Sequence, residues 1–290
     1  MKHNGSNLNF KKSSILQRKK YKWLDENVVK NLIIEIKEDS MIDVHCHLTY
    51  PGLDEIKEKV IEEAKDIMDV IVTCGYPEDK EKALQIYEQN KGFIYLTLGL
   101  HPVDIIKMSD KQIENYKQFI INNKEKIIAV GEIGLDYHWI KEESKNKKIK
   151  KVFIEFLELS KELKLPVILH LRKAEQDGFE IMTSNDMDKV IFHQYSGNLT
   201  LAKEIIQEGY YIGLGTLLMR SKNTKKIAKK FPLNRLFTET DSPFNSPYPD
   251  TQNVPQNVKF TLEKMSELRN QPIEEIDRVI MDNARKFFNI

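Results

Sequence analysis

Apolar and polar positions alternate with a steady rhythm from Met41 to the C-terminus. Short runs rich in Ile, Val and Leu end in a polar residue or glycine, and a charged stretch follows each one. The runs at 41–47, 70–75, 93–101, 127–134, 166–170, 190–193, 210–215 and 236–241 predict eight strands. Their near-continuous apolar character suits parallel strands covered on both faces. Between them, stretches such as "LDEIKEKVIEEAKDIMD", "KALQIYEQN", "QIENYKQFIINNKEK", "KVFIEFLELSKELK" and "LAKEIIQEG" carry the spacing of amphipathic helices. Eight strand–helix units predict an α/β fold, a TIM-type (β/α)8 barrel, with an open doubly wound sheet as the alternative. The tail from Asn253 predicts two closing helices, so residues 41–290 make one barrel domain.

The first forty residues break the rhythm. They are polar and lysine-rich at the start, and "WLDENVVKNLIIEIKEDS" has the pattern of an amphipathic helix leaning on the core. Residues 1–40 are expected to be a partly mobile, solvated extension. Two other readings stand beside it: a basic arm that touches a phosphate backbone, or an upstream misreading with Met41 as the native start. No apolar h-region marks a secretory signal, and no apolar run approaches a membrane span.

Composition narrows the classes further. The 290 residues are 40% hydrophobic and 31% charged, yet the formal net charge is only +1. No overall basic excess announces nucleic acid, so such a substrate would be gripped locally. Both cysteines, Cys46 and Cys74, fall in strand-like apolar runs, which speaks against a disulfide framework. A soluble, cytoplasmic protein with no membrane partner and no obligate protein partner is expected.

The chemistry lies where strands end. In "MIDVHCHL", alternation puts Asp43, His45 and His47 on one face, and burying three such groups is costly unless something satisfies them. His101 follows the third strand, Glu132 ends the fourth, His170 the fifth, His193 the sixth and Asp241 the eighth. In a barrel those ends converge on one face. A single strand histidine is more often a satisfied core residue than a ligand, but recurrence on several strands at one end favours a metal site. His45, His47, Glu132, His170, His193 and Asp241 exceed what one tetrahedral ion needs. They fit two divalent ions about 3.5–4 Å apart, bridged by Glu132, with Asp241 as general base toward a metal-activated water. Mixed nitrogen and oxygen ligands admit magnesium, manganese or zinc. Arg172 and Lys173 follow His170; a phosphate fork and a surface charge are equally open readings for Arg172. His138 is expected at the site rim, Cys46 against a helix, and "KEESKNKKIKK" as a solvated loop or helix start. Asp43 is read as a supporting partner or a cap.

The motifs "DVHCHL", "GLHP", "GEIGLDYH", "LPVILHLRKA", "FHQYSG", "TETDSP" and "NARKFF" occur in this order. The chain from Met41 onward resembles the TatD-related metal-dependent deoxyribonucleases of the amidohydrolase-like superfamily. The resemblance implies that His45 and His47 hold one metal with Glu132 and Asp241. It implies that His170 and His193 hold a second, with Glu132 bridging. It places His101 and Arg172 as substrate-phosphate contacts, and Asp136 beside them as a residue that orients a neighbour. The "HQYSG" segment departs from the family's more usual "HCFSG", so Gln194 and Tyr195 are expected to alter the pocket wall.

The expected activity is therefore metal-dependent cleavage of phosphodiester bonds in DNA, as an exonuclease at strand ends. The alternative is hydrolysis of another ester or amide bond, such as D-aminoacyl-tRNA deacylation. A non-catalytic scaffold predicts damaged ligands, and all six are intact.

Overall fold

Apolar strands of this kind exclude water from both faces only when helices cover the outside and side chains fill the inside. The computed structural model describes residues 41–290 and shows that arrangement. Strands β1 (Met41–Cys46), β2 (Met68–Gly75), β3 (Ile94–Leu98), β4 (Ile127–Asp136), β5 (Val167–Arg172), β6 (Val190–Phe192), β7 (Tyr211–Leu214) and β8 (Leu236–Thr238) lie in sequence order in one sheet. Every adjacent pair from β1 to β8 is parallel. This is the TIM-type barrel that the rhythm predicts. The helix expected before Met41 lies outside the described residues.

The covering helices are α1 (Lys57–Lys65), α2 (Lys80–Gln89), α3 (Pro102–Ile105), α4 (Asp110–Asn122), α5 (Glu143–Leu163), α6 (Glu175–Ser184), α7 (Leu199–Gln207), α8 (Lys222–Lys230), α9 (Val258–Arg269) and α10 (Ile273–Phe288). Each turns its apolar stripe inward. In α5, Ile149, Val152, Phe153, Phe156 and Leu157 are buried while the lysines between them face out. The two closing helices are α9 and α10. Phe287 of α10 packs edge-on to Tyr211 and Phe237, at 5.1 and 5.5 Å between ring centres. Asn283 of the same helix donates to the carbonyls of Leu233 and Leu236, fixing the entry to β8.

The seam between the last strand and the first is closed by a side chain. Asp43 Oδ1 accepts from the amides of His45 and Thr240, at 3.1 and 2.9 Å, and Oδ2 accepts the Thr240 hydroxyl. Thr238 Oγ1 donates to the Ile42 carbonyl at 3.0 Å. The Asp241 amide donates to the His45 carbonyl, and the His47 amide to the Ser242 carbonyl, at 2.9 and 2.7 Å. Asp43 is thus the supporting member of its polar trio. Burial pushes its pKa up to about 8, against the hydrogen bonds from Thr240 and His45 that favour the ionised form.

Asp43→Ala strips three buried donors of their acceptor and should destabilise the fold by on the order of 3 kcal/mol or more. Asp43→Asn keeps an acceptor oxygen and should lose at least about 2 kcal/mol less. Urea denaturation followed by circular dichroism reads both; equal losses would show that the seam does not depend on that acceptor.

Candidate metal centre

The barrel brings the six expected ligands to one mouth, by different local devices. His45 is in β1 and His47 just beyond it, both nearly fully buried. Glu132 does not end its strand: β4 continues to Asp136, and the pairing with β5 skips Glu132 between Gly131 and Ile133. The bulge frees this one residue from the ladder and turns its carboxylate into the barrel. The Cys74 sulfur lies 3.1 Å from both the Gly131 carbonyl and the Glu132 amide, satisfying the backbone there. His170 is in β5, His193 follows β6, and Asp241 lies three residues past the end of β8, held by the seam.

The ligand atoms converge. The Nε2 atoms of His45 and His47 are 3.2 Å apart. Asp241 Oδ1 is 3.4 Å from His47 Nε2, 3.6 Å from His193 Nε2 and 3.9 Å from His45 Nε2. Glu132 stands between two groups of imidazoles. Its Oε1 is 3.7 Å from His47 Nε2, and its Oε2 is 3.6 Å from His45 Nε2, 3.3 Å from His170 Nδ1 and 3.9 Å from His193 Nε2. Two nitrogens that each reach an ion at about 2.1 Å lie roughly this far from one another, so the His45–His47 pair fits a shared cation. The Nδ1 atoms of these two rings are buried without a partner, so what the rings offer converges through Nε2.

The two later histidines are each backed by a carboxylate. His170 Nε2 lies 3.1 Å from Asp136 Oδ2, and His193 Nδ1 lies 2.9 Å from Glu239 Oε2. Such pairs fix ring orientation and raise ligand basicity. Within this cluster the charges oppose one another. Burial pushes the His45 imidazole well below its usual range, and the neighbouring His193 pushes it further. Burial works against the Glu132 carboxylate, but the His170 hydrogen bond and the surrounding imidazoles hold it well below the ordinary range. Burial also opposes charge on His193, and Glu239 and Asp241 overcome it, raising that ring to about 9. A buried set of donors in such mutual tension is relieved by a cation.

Around the ligands lies a cavity of about 590 Å³, lined by Tyr50, Tyr76, His101, Trp139, Arg172 and Phe244 among others. His101 caps α3 and accepts the Val103 amide through Nδ1 at 3.2 Å, so in the neutral ring the proton sits on Nε2. Burial, then the charge of His170, pushes its pKa down to about 3. Arg172 lies over the Trp139 ring, 5.3 Å from its centre. Asp136 is nearly fully buried. Its Oδ1 accepts the amides of His138 and Trp139, both at 2.8 Å, and Oδ2 faces His170. Gln194 and Tyr195 do not line the cavity, contrary to the expectation for "HQYSG". Gln194 Nε2 donates to the Thr240 carbonyl, and the Tyr195 hydroxyl to the Asn198 carbonyl, so both are engaged with backbone.

Two participants escaped the sequence reading. Tyr76 stacks on the His47 ring at 5.1 Å and donates its hydroxyl to Glu132 Oε1 at 2.7 Å. It directly follows β2, so the strand-end rule would have found it. Glu239 lies inside the "TETDSP" motif and directly follows β8, so the same strand-end rule would have found it.

Comparison with known proteins agrees with this architecture. The chain matches the family described as TatD related DNase over residues 42–289. It is 39% identical over 254 residues to an uncharacterised metal-dependent hydrolase of Methanocaldococcus jannaschii, covering 87% of this chain and 98% of that one. It is 29% identical over 258 residues to a human protein named deoxyribonuclease TATDN3, covering 86% and 94% of the two chains. Among solved structures, the TatD homologue YjjV of Escherichia coli superposes with a TM-score of 0.79 at 30% identity, over 86% of this chain and 98% of that one. The chain belongs to the TatD-related DNase family and is a metal-dependent hydrolase.

Proposed function

We propose that this hydrolase cleaves phosphodiester bonds in DNA at strand ends, with two divalent ions. One would be held by His45, His47, Glu132 and Asp241, the other by His170, His193 and Glu132. The observation that carries the reading is the position of Glu132, a single buried carboxylate within 4 Å of His45, His47, His170 and His193. Divalent ions bound there supply Lewis-acid polarisation of a phosphate and make a water easier to deprotonate.

The chain's own residues do the rest. Asn245 Nδ2 donates to Asp241 Oδ2 at 2.9 Å, fixing the carboxylate that takes the proton of the attacking water. His101, neutral with its proton on Nε2, donates to a phosphate oxygen without competing for the ions. Arg172 supplies a charged fork to the same group. Asp136 positions His170 and the Trp139 turn, since protein donors occupy both its oxygens. Tyr50, Trp139 and Phe244 are exposed large apolar side chains at this mouth, with Tyr50 and Phe244 in edge contact at 4.8 Å. Exposed rings suit unstacked bases at a strand end.

Chelator should abolish cleavage of end-labelled single-stranded DNA, and magnesium, manganese or zinc added singly should restore it. His170→Ala should remain at least about 100-fold slower after metal is restored. A folded, metal-loaded protein that leaves DNA, duplex and RNA intact would defeat the proposal and direct attention to D-aminoacyl-tRNA or small esters and amides.

Trp139→Ala should raise KM for single-stranded DNA by about 5- to 100-fold with little change in kcat, the worth of one stacked base. An unchanged KM would remove Trp139 from the substrate path. Glu239→Gln should weaken metal binding by roughly 10- to 100-fold, as read by calorimetric titration of the metal-free protein. Undiminished affinity would show that His193 needs no carboxylate behind it.

A further inference from the structure

Two helices of this barrel are rich in lysine, and they treat the charge differently. Lysines of the first turns of α5 each have a carboxylate in reach. Lys145 meets Glu142 at 2.6 Å, Lys147 meets Glu143 at 3.1 Å, Lys148 meets Asp110 at 4.0 Å, Lys150 meets Asp177 at 2.7 Å and Lys151 meets Glu155 at 3.8 Å. That run is the neutralised, solvated helix start that its sequence suggests. On α8, Lys222, Lys225, Lys226, Lys229 and Lys230 have no ion-pair partner among the described residues, and the helix carries no acidic residue. Their spacing is i, i+3, i+4, i+7 and i+8, so they form one stripe, opposite the buried Thr224, Ile227 and Ala228. Repulsion along such a stripe opposes helix formation locally, and nothing in the packing of the helix requires it.

The stripe begins at the mouth. Ser221 caps α8, and Arg220 before it donates to the Ser246 carbonyl at 3.3 Å. Ser246 adjoins Asn245, which holds Asp241. Beside the stripe, α7 and α8 enclose a groove of about 440 Å³ where Lys203 joins Lys226 and Lys230 over an apolar floor that includes Ile206 and Phe231. Five positive charges along about 12 Å of helix match the charge density of a nucleic-acid strand, which carries a phosphate about every 3.4 Å.

We propose that the lysine stripe of α8 docks the backbone of the substrate strand away from the bond being cut. The proposal rests on the nucleic-acid reading above and extends it to a second contact region outside the barrel mouth. It gives a chain of net charge +1 a local concentration of five positive charges on one helix face, with which to hold a polyanion. The stripe supports long strands and contributes nothing to a substrate too short to leave the mouth.

The test replaces all five lysines with glutamine in the full chain with metal supplied. For a long single strand, KM should rise at least about 10-fold, and the slope of log KM against log salt should fall by about 2 to 3. Hydrolysis of bis(p-nitrophenyl) phosphate, which fills only the mouth, should be unchanged. Equal losses on both substrates, or unchanged KM and salt slope on the long strand, would overturn the proposal. Anisotropy of a labelled long strand, with chelator present, separates it from the nuclease reading. Lysine-dependent binding without cleavage on adding metal would leave the docking stripe standing and remove the nuclease. Binding to phosphatidylserine vesicles that needs the lysines, with strand binding that does not, would overturn the stripe as a nucleic-acid contact.

Discussion

The site depends on how the barrel shuts. Seven strand pairs are parallel ladders, and the eighth junction is held by one buried carboxylate together with a few hydrogen bonds on either side of it. Asp43 gathers two amides and a hydroxyl from both sides of the seam, and its neighbours exchange backbone hydrogen bonds across it. The His45 carbonyl accepts the amide of Asp241, so the hydrogen bond that closes the barrel also sets one ligand beside another. Asp241 itself lies beyond β8 with a positive φ of 58°, so its carboxylate is aimed at His45 and His47 by this hydrogen-bonded turn and not by the alternation of a strand.

A second constraint is electrostatic. Four imidazoles and two carboxylates share a space without water on most sides, and each group's preferred charge depends on the rest. The protein divides the labour by backing only some of the rings. Asp136 and Glu239 hold His170 and His193, while Tyr76 holds the bridging position of Glu132. The arrangement is rigid because each of these supports is itself fixed to a strand end or to the backbone beyond it.

Much of this was legible in the residues alone. The strand–helix rhythm identified the barrel, and the placing of His45, His47, His170 and His193 at strand ends pointed to one mouth. What escaped had physical reasons. Glu132 reads as a strand end because glycines flank it, yet it is a bulge within a longer strand, and a bulge depends on pairing with β5. Asp43 was ambiguous because its partners lie about two hundred residues away in sequence. Gln194 and Tyr195 sit beside a ligand in the chain but bond backbone carbonyls and do not line the cavity, and only the folded geometry decides that. Tyr76 needed no such information; a tyrosine at a strand end simply attracts less notice than a histidine.

The distance in sequence between His45 and Asp241 has a bearing on synthesis. A ribosome releases the two histidines first and Asp241 only when the barrel is nearly complete. The seam cannot close until β8 has emerged, and α9 and α10 must then pack over it. A growing chain that has not yet reached Asp241 therefore carries only part of the ligand set. The candidate site is thus among the last features of the barrel to be completed as the chain emerges.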